Sequence, residues 1–175
     1  VRTALFAALV SLVVVAINYS VDPYGITGFP RVEGFNQHKA DINDYARQYK
    51  KYHPLFASHD TLVLGNSRAE MGIDPKHPCF ADAAMDVYNL AMPGAGVRMQ
   101  LNYALNVMYE HPVRRVFLSV DFIDFIDTQA VFPPRDGLVE QASGELKYLP
   151  TGEVNPDYRL LLVTDYARAI FSLDA

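Results

Sequence analysis

The sequence predicts an α/β fold: a parallel sheet covered by helices, preceded by an N-terminal hydrophobic helix. Three observations carry that expectation. Short apolar runs alternate with amphipathic ones, the apolar runs end in glycine or polar residues, and a charge-free segment stands at the start. The chain has 175 residues, 50% of them hydrophobic, and a formal charge of −5. That length suffices for one domain with a real core. Basic residues are scattered without a basic run, which argues against a nucleic-acid partner. No zinc spacing and no Cys–His nucleophile pattern surrounds the single cysteine, Cys79. It reads as a small buried hydrophobe beside Phe80, and neither a metal nor a cofactor is expected.

The first element runs from Thr3 to Tyr19 without a charge, with Arg2 before it and Asp22 after it. A spanning helix needs about 20 apolar residues, so the run is slightly short. A signal-anchor helix over residues 1–19 is the leading reading; a cleaved signal peptide and a buried core helix are the alternatives. No small-x-small cleavage site follows Ile17. Arg2 places the start on the cytoplasmic side and the rest outside. Tyr19 and Tyr24 suit the membrane interface. Residues 20–40 are a turn-rich connector, and 41–175 form the α/β domain.

Within that domain, Ile42, Tyr45, Tyr49, Tyr52 and Phe56 recur at helical spacing over about 41–57, a face suited to covering a sheet. Strand one follows over Thr61 to Leu64 and ends at Gly65. Asp86 to Gly96 holds a second short strand and a glycine-bearing loop. Val97 onward reads as a helix with Val97, Leu101, Ala104, Leu105 and Met108 on one face, ended by His111-Pro112. Strand three is continuously apolar at Val116 to Leu118, the pattern of a parallel strand buried on both faces. Phe132 to Pro156 reads as a loop containing a small hairpin, "GELKYLPTGE". Leu160, Val163, Ala167 and Ile170 form a last helical stripe.

Ligands of an open parallel sheet gather at the C-terminal ends of its strands. Strand one delivers Gly65-Asn66-Ser67-Arg68 there, strand two Asn89 and then Pro93-Gly94-Ala95-Gly96, strand three Ser119, Asp121 and Asp124. Together they offer a hydroxyl nucleophile, glycine amides and polar side chains. Ser67 also has a plain structural reading. A serine after a strand often caps the next helix, and Glu70 stands at capping-box spacing from it.

The order of these blocks resembles the SGNH/GDSL hydrolase superfamily, in which serine follows strand one in Gly-Asp-Ser-x. Gly65-Asn66-Ser67-Arg68 carries Asn in place of Asp. Asn89 to Gly94 resembles the second block, and Gly94 stands where that block gives an oxyanion N–H. In the third block Asp121 stands where the superfamily has the asparagine that completes the oxyanion hole; a carboxylate there would repel an oxyanion. The chain is most similar to membrane-anchored, SGNH-like proteins of the alginate O-acetyltransferase kind, on Asp22 to Gly25, Gly65 to Pro75 and Asp121 to Phe125. The resemblance covers about residues 20–127. It implies a three-layer, flavodoxin-like (SGNH-type) parallel-sheet domain, catalytic Ser67 with Gly94 and Asn89, and Asn66, Arg68 and Asp121 beside the substrate. The implied activity is ester hydrolysis or O-acyl (acetyl) transfer on an envelope carbohydrate, without cofactor or metal.

The superfamily's base is a histidine in a late Asp-x-x-His block. No histidine follows His111. Asp74-Pro75-Lys76-His77 has the spacing but precedes strand two, where the fold places a descending loop. The chain opens on Val1 and stops at Ala175 just after a helix-like run, so it reads as a fragment, incomplete at its C-terminus. The alternative is a non-catalytic module that binds glycan or a partner in an envelope complex. Gly-x-Ser-x-Gly fails at Ala69, Gly94-Ala95-Gly96 lacks the third glycine of a dinucleotide fingerprint, and no P-loop occurs.

Overall fold

A computed structural model describes residues 2–22, 25–30, 32–36, 42–122 and 144–171, the side chains of 42–45 apart. In chain order the elements are α1 (Arg2–Val21), α2 (Ile42–Tyr52) with a 3-10 turn at His53–Leu55, β1 (Thr61–Leu64), α3 (Ser67–Gly72), α4 (Pro78–Asp82), β2 (Val87–Asn89), α5 (Val97–Met108), β3 (Arg115–Leu118) and α6 (Tyr158–Phe171). The fold is mixed α/β with a small parallel sheet and an N-terminal apolar helix. Contacts group the chain into two compact units, one of residues Val1–His53 with Arg159–Ala175 and one of Pro54–Tyr158.

The sheet lies in the second unit, in the order β2-β1-β3, with β1 parallel to both neighbours. Every residue of β1 is buried, as an apolar central strand of a parallel sheet should be. Asp60 ties the three strand starts together. Its carboxylate accepts from the Thr61 hydroxyl (2.7 Å), the Asp86 N–H (3.0 Å) and Arg115 (3.1 Å), and its carbonyl from the Arg114 N–H (2.8 Å). Successive side chains point to opposite faces. Leu62 and Leu64 join Met99, Tyr103 and Val107 of α5 in one buried cluster. Val63 aligns with Asn89 and Phe117, and these reach the other helices: Asn89 bonds α3, and Phe117 lies 6.3 Å from the Phe80 ring of α4.

Two sequence expectations fail here. The stripe Val97, Leu101, Ala104, Leu105, Met108 is not the face that α5 buries. Leu101 and Met108 are exposed, whereas Met99, Gln100, Tyr103, Ala104, Asn106 and Val107 are buried. Two amides occupy the buried face because the fold supplies partners: Gln100 donates to the Ala95 carbonyl (2.8 Å), and Asn106 accepts from the Tyr148 N–H (3.1 Å). Nor is β3 buried on both faces. Val116, Phe117 and Leu118 are each more than 40% exposed, because among the described residues β3 is an edge strand with β1 on one side only. The small hairpin is present: Tyr148 bridges Val154, and Leu146 behind it is core.

In the first unit, α1 is 20 residues long and apolar on every side; Asn18 is its only buried residue. At 1.5 Å per residue it spans roughly 30 Å, the thickness of a bilayer's hydrocarbon core. It is long and apolar enough to cross a membrane. A turn closes its end. Asp22, in the left-handed region at φ 50°, accepts the N–H groups of Ile26 (2.8 Å) and Thr27 (3.0 Å). Gly25 cannot be larger, because a Cβ there would lie 2.7 Å from the Tyr49 ring. Pro23, Tyr24 and His38 lie outside the described residues, as do Asp124, Phe125 and the first part of the loop. Tyr52 of the tyrosine stripe is buried and Phe56 is exposed. This end of α2 bonds α6: Lys51 and Tyr52 both donate to Asp165, at 2.7 and 2.6 Å.

Candidate active site

The three strand ends converge on Gly65. The Ser119 N–H donates to the Leu64 carbonyl (2.9 Å) and the Met92 N–H to the Gly65 carbonyl (3.0 Å), so both neighbouring loops run beside the end of β1. A Cβ on Gly65 would lie 2.4 Å from the Ala69 Cβ and 3.0 Å from the Ser119 Cβ. Only glycine lets β1 turn into α3 at this junction. The loop after β2 makes its own turn at Pro93-Gly94: Gly94 has φ 66° and the Ala95 N–H returns to the Met92 carbonyl (3.2 Å). Proline then glycine at these places is the signature of a type II turn.

Asn66, not Ser67, caps α3. Its side-chain oxygen accepts from the Arg68 N–H at 2.9 Å. Ser67 is therefore the first helical residue and Glu70 the fourth, its N–H on the Asn66 carbonyl (3.0 Å), so no Ser67–Glu70 capping box forms. The Ser67 hydroxyl is half-buried and has no hydrogen-bond partner among the described residues. The backbone N–H groups of Ser67 and Gly94 likewise make no hydrogen bond among them.

Asp121 reaches this loop from the end of β3. One oxygen accepts from the Asn66 amide and the other from Arg68 at 2.6 Å. The two residues that flank Ser67 in sequence both grip Asp121, and Arg68 offsets its charge. Arg68 pairs with neither Glu70 nor Asp74 in the ion pairs present, a partner that spacing along the chain could not reveal. Asn89 is placed differently. Its amide donates to the carbonyls of Ala69 (3.2 Å), Glu70 (3.3 Å) and Ile73 (2.8 Å), and its oxygen accepts from the Ala91 N–H (3.1 Å). It closes the last turn of α3 onto the β2 loop and thereby holds the helix that begins with Ser67.

None of the described histidines is bonded to Ser67. His77 caps α4, its Nδ1 accepting from the Cys79 N–H (3.2 Å) with the Cys79 Sγ at 2.9 Å. Cys79 is exposed rather than buried, because it sits in the first turn of that short surface helix. His59 pairs with Asp86 (3.1 Å) at the opposite ends of the strands, and His111 contacts the Leu55 carbonyl (3.0 Å). His53 is half-buried against Tyr49, the ring centroids 4.5 Å apart. Among the described residues no cluster of metal-ligating side chains occurs. Comparison with protein-family models, curated proteins and solved structures finds no match to this chain.

Proposed function

We propose that this strand-top cluster is an acyl-ester site with Ser67 as its nucleophile, in an extracytoplasmic domain anchored by α1. One observation carries the reading: Asn66 takes over the capping role and leaves the Ser67 hydroxyl unengaged at the carboxyl end of a parallel strand. The order β2-β1-β3 supports the finer fold as well. A flavodoxin-like doubly wound sheet has this order at its switch point, and its ligand crevice opens between the first and third strands. Asn66 and Arg68, on either side of Ser67 at the end of β1, bond Asp121 from the end of β3.

In this reading a base takes the Ser67 proton, Oγ attacks the acyl carbonyl, and the tetrahedral intermediate expels the alcohol, which takes that proton and leaves an acyl-serine. Water or a sugar hydroxyl then accepts the acyl group. The Ser67 and Gly94 N–H groups would meet the oxyanion. Asn89 positions α3 rather than touching substrate, and Asp121 holds Asn66 and Arg68 in place while its charge is balanced by Arg68. An envelope carbohydrate ester is the substrate class that the resemblance implies. The reading requires a base that no described histidine supplies, which favours, as a second reading, a non-catalytic module binding glycan or a partner at the same crevice. A serine-reactive fluorophosphonate separates the two. Covalent labelling that disappears in a folded Ser67→Ala variant is expected; a folded wild-type protein that stays unlabelled at Ser67 leaves the binding module.

A further inference from the structure

The exposed side of α6 carries an apolar stripe that the first unit does not use. Leu160, Val163, Ala167 and Phe171 are three, four and four residues apart, and all four are exposed, Leu160 and Phe171 at 70%. At about 100° per residue they fall on one side of the helix. The opposite side holds buried Asp165 and Ala169. Arg159 and Arg168, both exposed, flank the stripe on its two borders. Thr164 lies within it, but its hydroxyl is satisfied by the Leu160 carbonyl at 2.8 Å. An apolar stripe bordered by arginines, with its one hydroxyl internally bonded, has the makeup of a helix whose side meets lipid and whose cations reach headgroups.

The position of α6 beside α1 decides the occupant. Asn18, one turn before the end of α1, donates to the Ile170 carbonyl at 2.7 Å. The C-terminal end of α6 thus lies beside the outer end of α1. The side chains of α1 from Leu5 to Ile17 are largely exposed, so the Phe171 end of the stripe adjoins an apolar surface already shaped for lipid.

We infer that α6 makes a second membrane contact beside the exit of α1, with Phe171 deepest and Leu160 nearest the surface. The inference rests on α1 being a membrane anchor. The test uses the full chain with Cys79→Ser, reconstituted in phosphatidylcholine/phosphatidylglycerol vesicles. Single cysteines are introduced by Leu9→Cys, Leu160→Cys or Phe171→Cys and carry an environment-sensitive fluorophore. Nitroxide-labelled lipids and aqueous iodide serve as quenchers. Expected are strong lipid quenching at positions 9 and 171, weaker lipid quenching at 160, and iodide access in the reverse order. Lipid quenching at 9 without any at 171 overturns the contact and leaves the anchor. Shielding of 171 from both quenchers means that protein covers the stripe, which also overturns it. No lipid quenching at 9 removes the anchor and this inference with it.

Discussion

Asp165 and Asp121 are both held by cationic and neutral donors, Asp165 with Arg168 at 3.7 Å besides Lys51, yet their settings differ. Asp165 takes Lys51 and Tyr52 on the same oxygen, and both side chains of the ion pair are less than 10% exposed. Asp121 takes Arg68 and Asn66 on separate oxygens, and the Arg68 side chain is 74% exposed. The same chemistry therefore serves two purposes. Removing a buried carboxylate takes its charge and its hydrogen bonds from a buried ammonium, so Asp165 is bound to its fold. A carboxylate beside an exposed guanidinium can exchange its partner for water or a ligand at little cost, which is what a site needs.

The largest expected effect follows from the first half of that contrast. Asp165→Ala takes the carboxylate away from buried Lys51, a loss of about 3–5 kcal/mol for a broken buried pair. Chemical denaturation followed by a probe in the first unit measures it. The double change Lys51→Met with Asp165→Leu should recover most of the loss, because an apolar pair of similar volume removes the stranded charge. A double variant as unstable as Asp165→Ala would mean that packing, not charge, sets the cost.

Gly65→Ala comes next. The added methyl would lie 2.4 Å from the Ala69 Cβ, so α3 or the Ser119 strand end must shift, at about 1–3 kcal/mol for overpacking. The same shift moves Ser67, so fluorophosphonate labelling should fall even where the variant stays folded. Full labelling in a destabilised variant would separate the site from the junction that positions it.

Much of this junction was legible in the sequence. An apolar run ending in glycine marks a buried strand and a tight exit, and β1, β2 and their loops are where that rule puts them. The helix start was misread by one residue, because Asn66 and Ser67 are both good caps and only geometry chooses between them. The buried face of α5 was misread because periodicity counts apolar residues, whereas Gln100 and Asn106 are buried through bonds to Ala95 and Tyr148. The Asp165 clasp was not legible at all. Its donors lie 114 and 113 residues away, and nothing local marks a lysine that will be buried.

Asp121→Ala tests the other half of the contrast. An exposed ion pair contributes at most about 1 kcal/mol, so the unfolding midpoint should barely move. The effect should show at the site instead: Arg68 and Asn66 lose their common anchor, and the labelling rate at Ser67 should change several-fold relative to Asp121→Asn, which keeps one of the two acceptor oxygens. A large stability loss with unchanged labelling would make Asp121 a second Asp165.

Glu110 separates burial from chemistry, because it repeats the Asp165 arrangement nearer the surface. Lys147 and the Tyr148 hydroxyl (2.9 Å) both donate to one Glu110 oxygen, a lysine–tyrosine pair as at Lys51-Tyr52, but both charged side chains are about a quarter exposed. The Lys147 bond holds the Glu110 carboxyl below its ordinary range. Burial works to lower the Lys147 ammonium, but the bond and charge of Glu110 outweigh it and raise the net value. The depressed carboxyl contributes stability above the ordinary glutamate pKa, lost as pH falls through its lower folded value; the raised ammonium contributes below the ordinary lysine pKa, lost as pH rises through its higher one. The stability difference between wild type and Glu110→Gln should thus be flat across neutral pH and shrink at both extremes. Its plateau should stay near or below about 1 kcal/mol, since solvent screens the pair. A plateau as large as the Asp165→Ala loss would show that the lysine–tyrosine grip itself, not its burial, makes such a clasp strong.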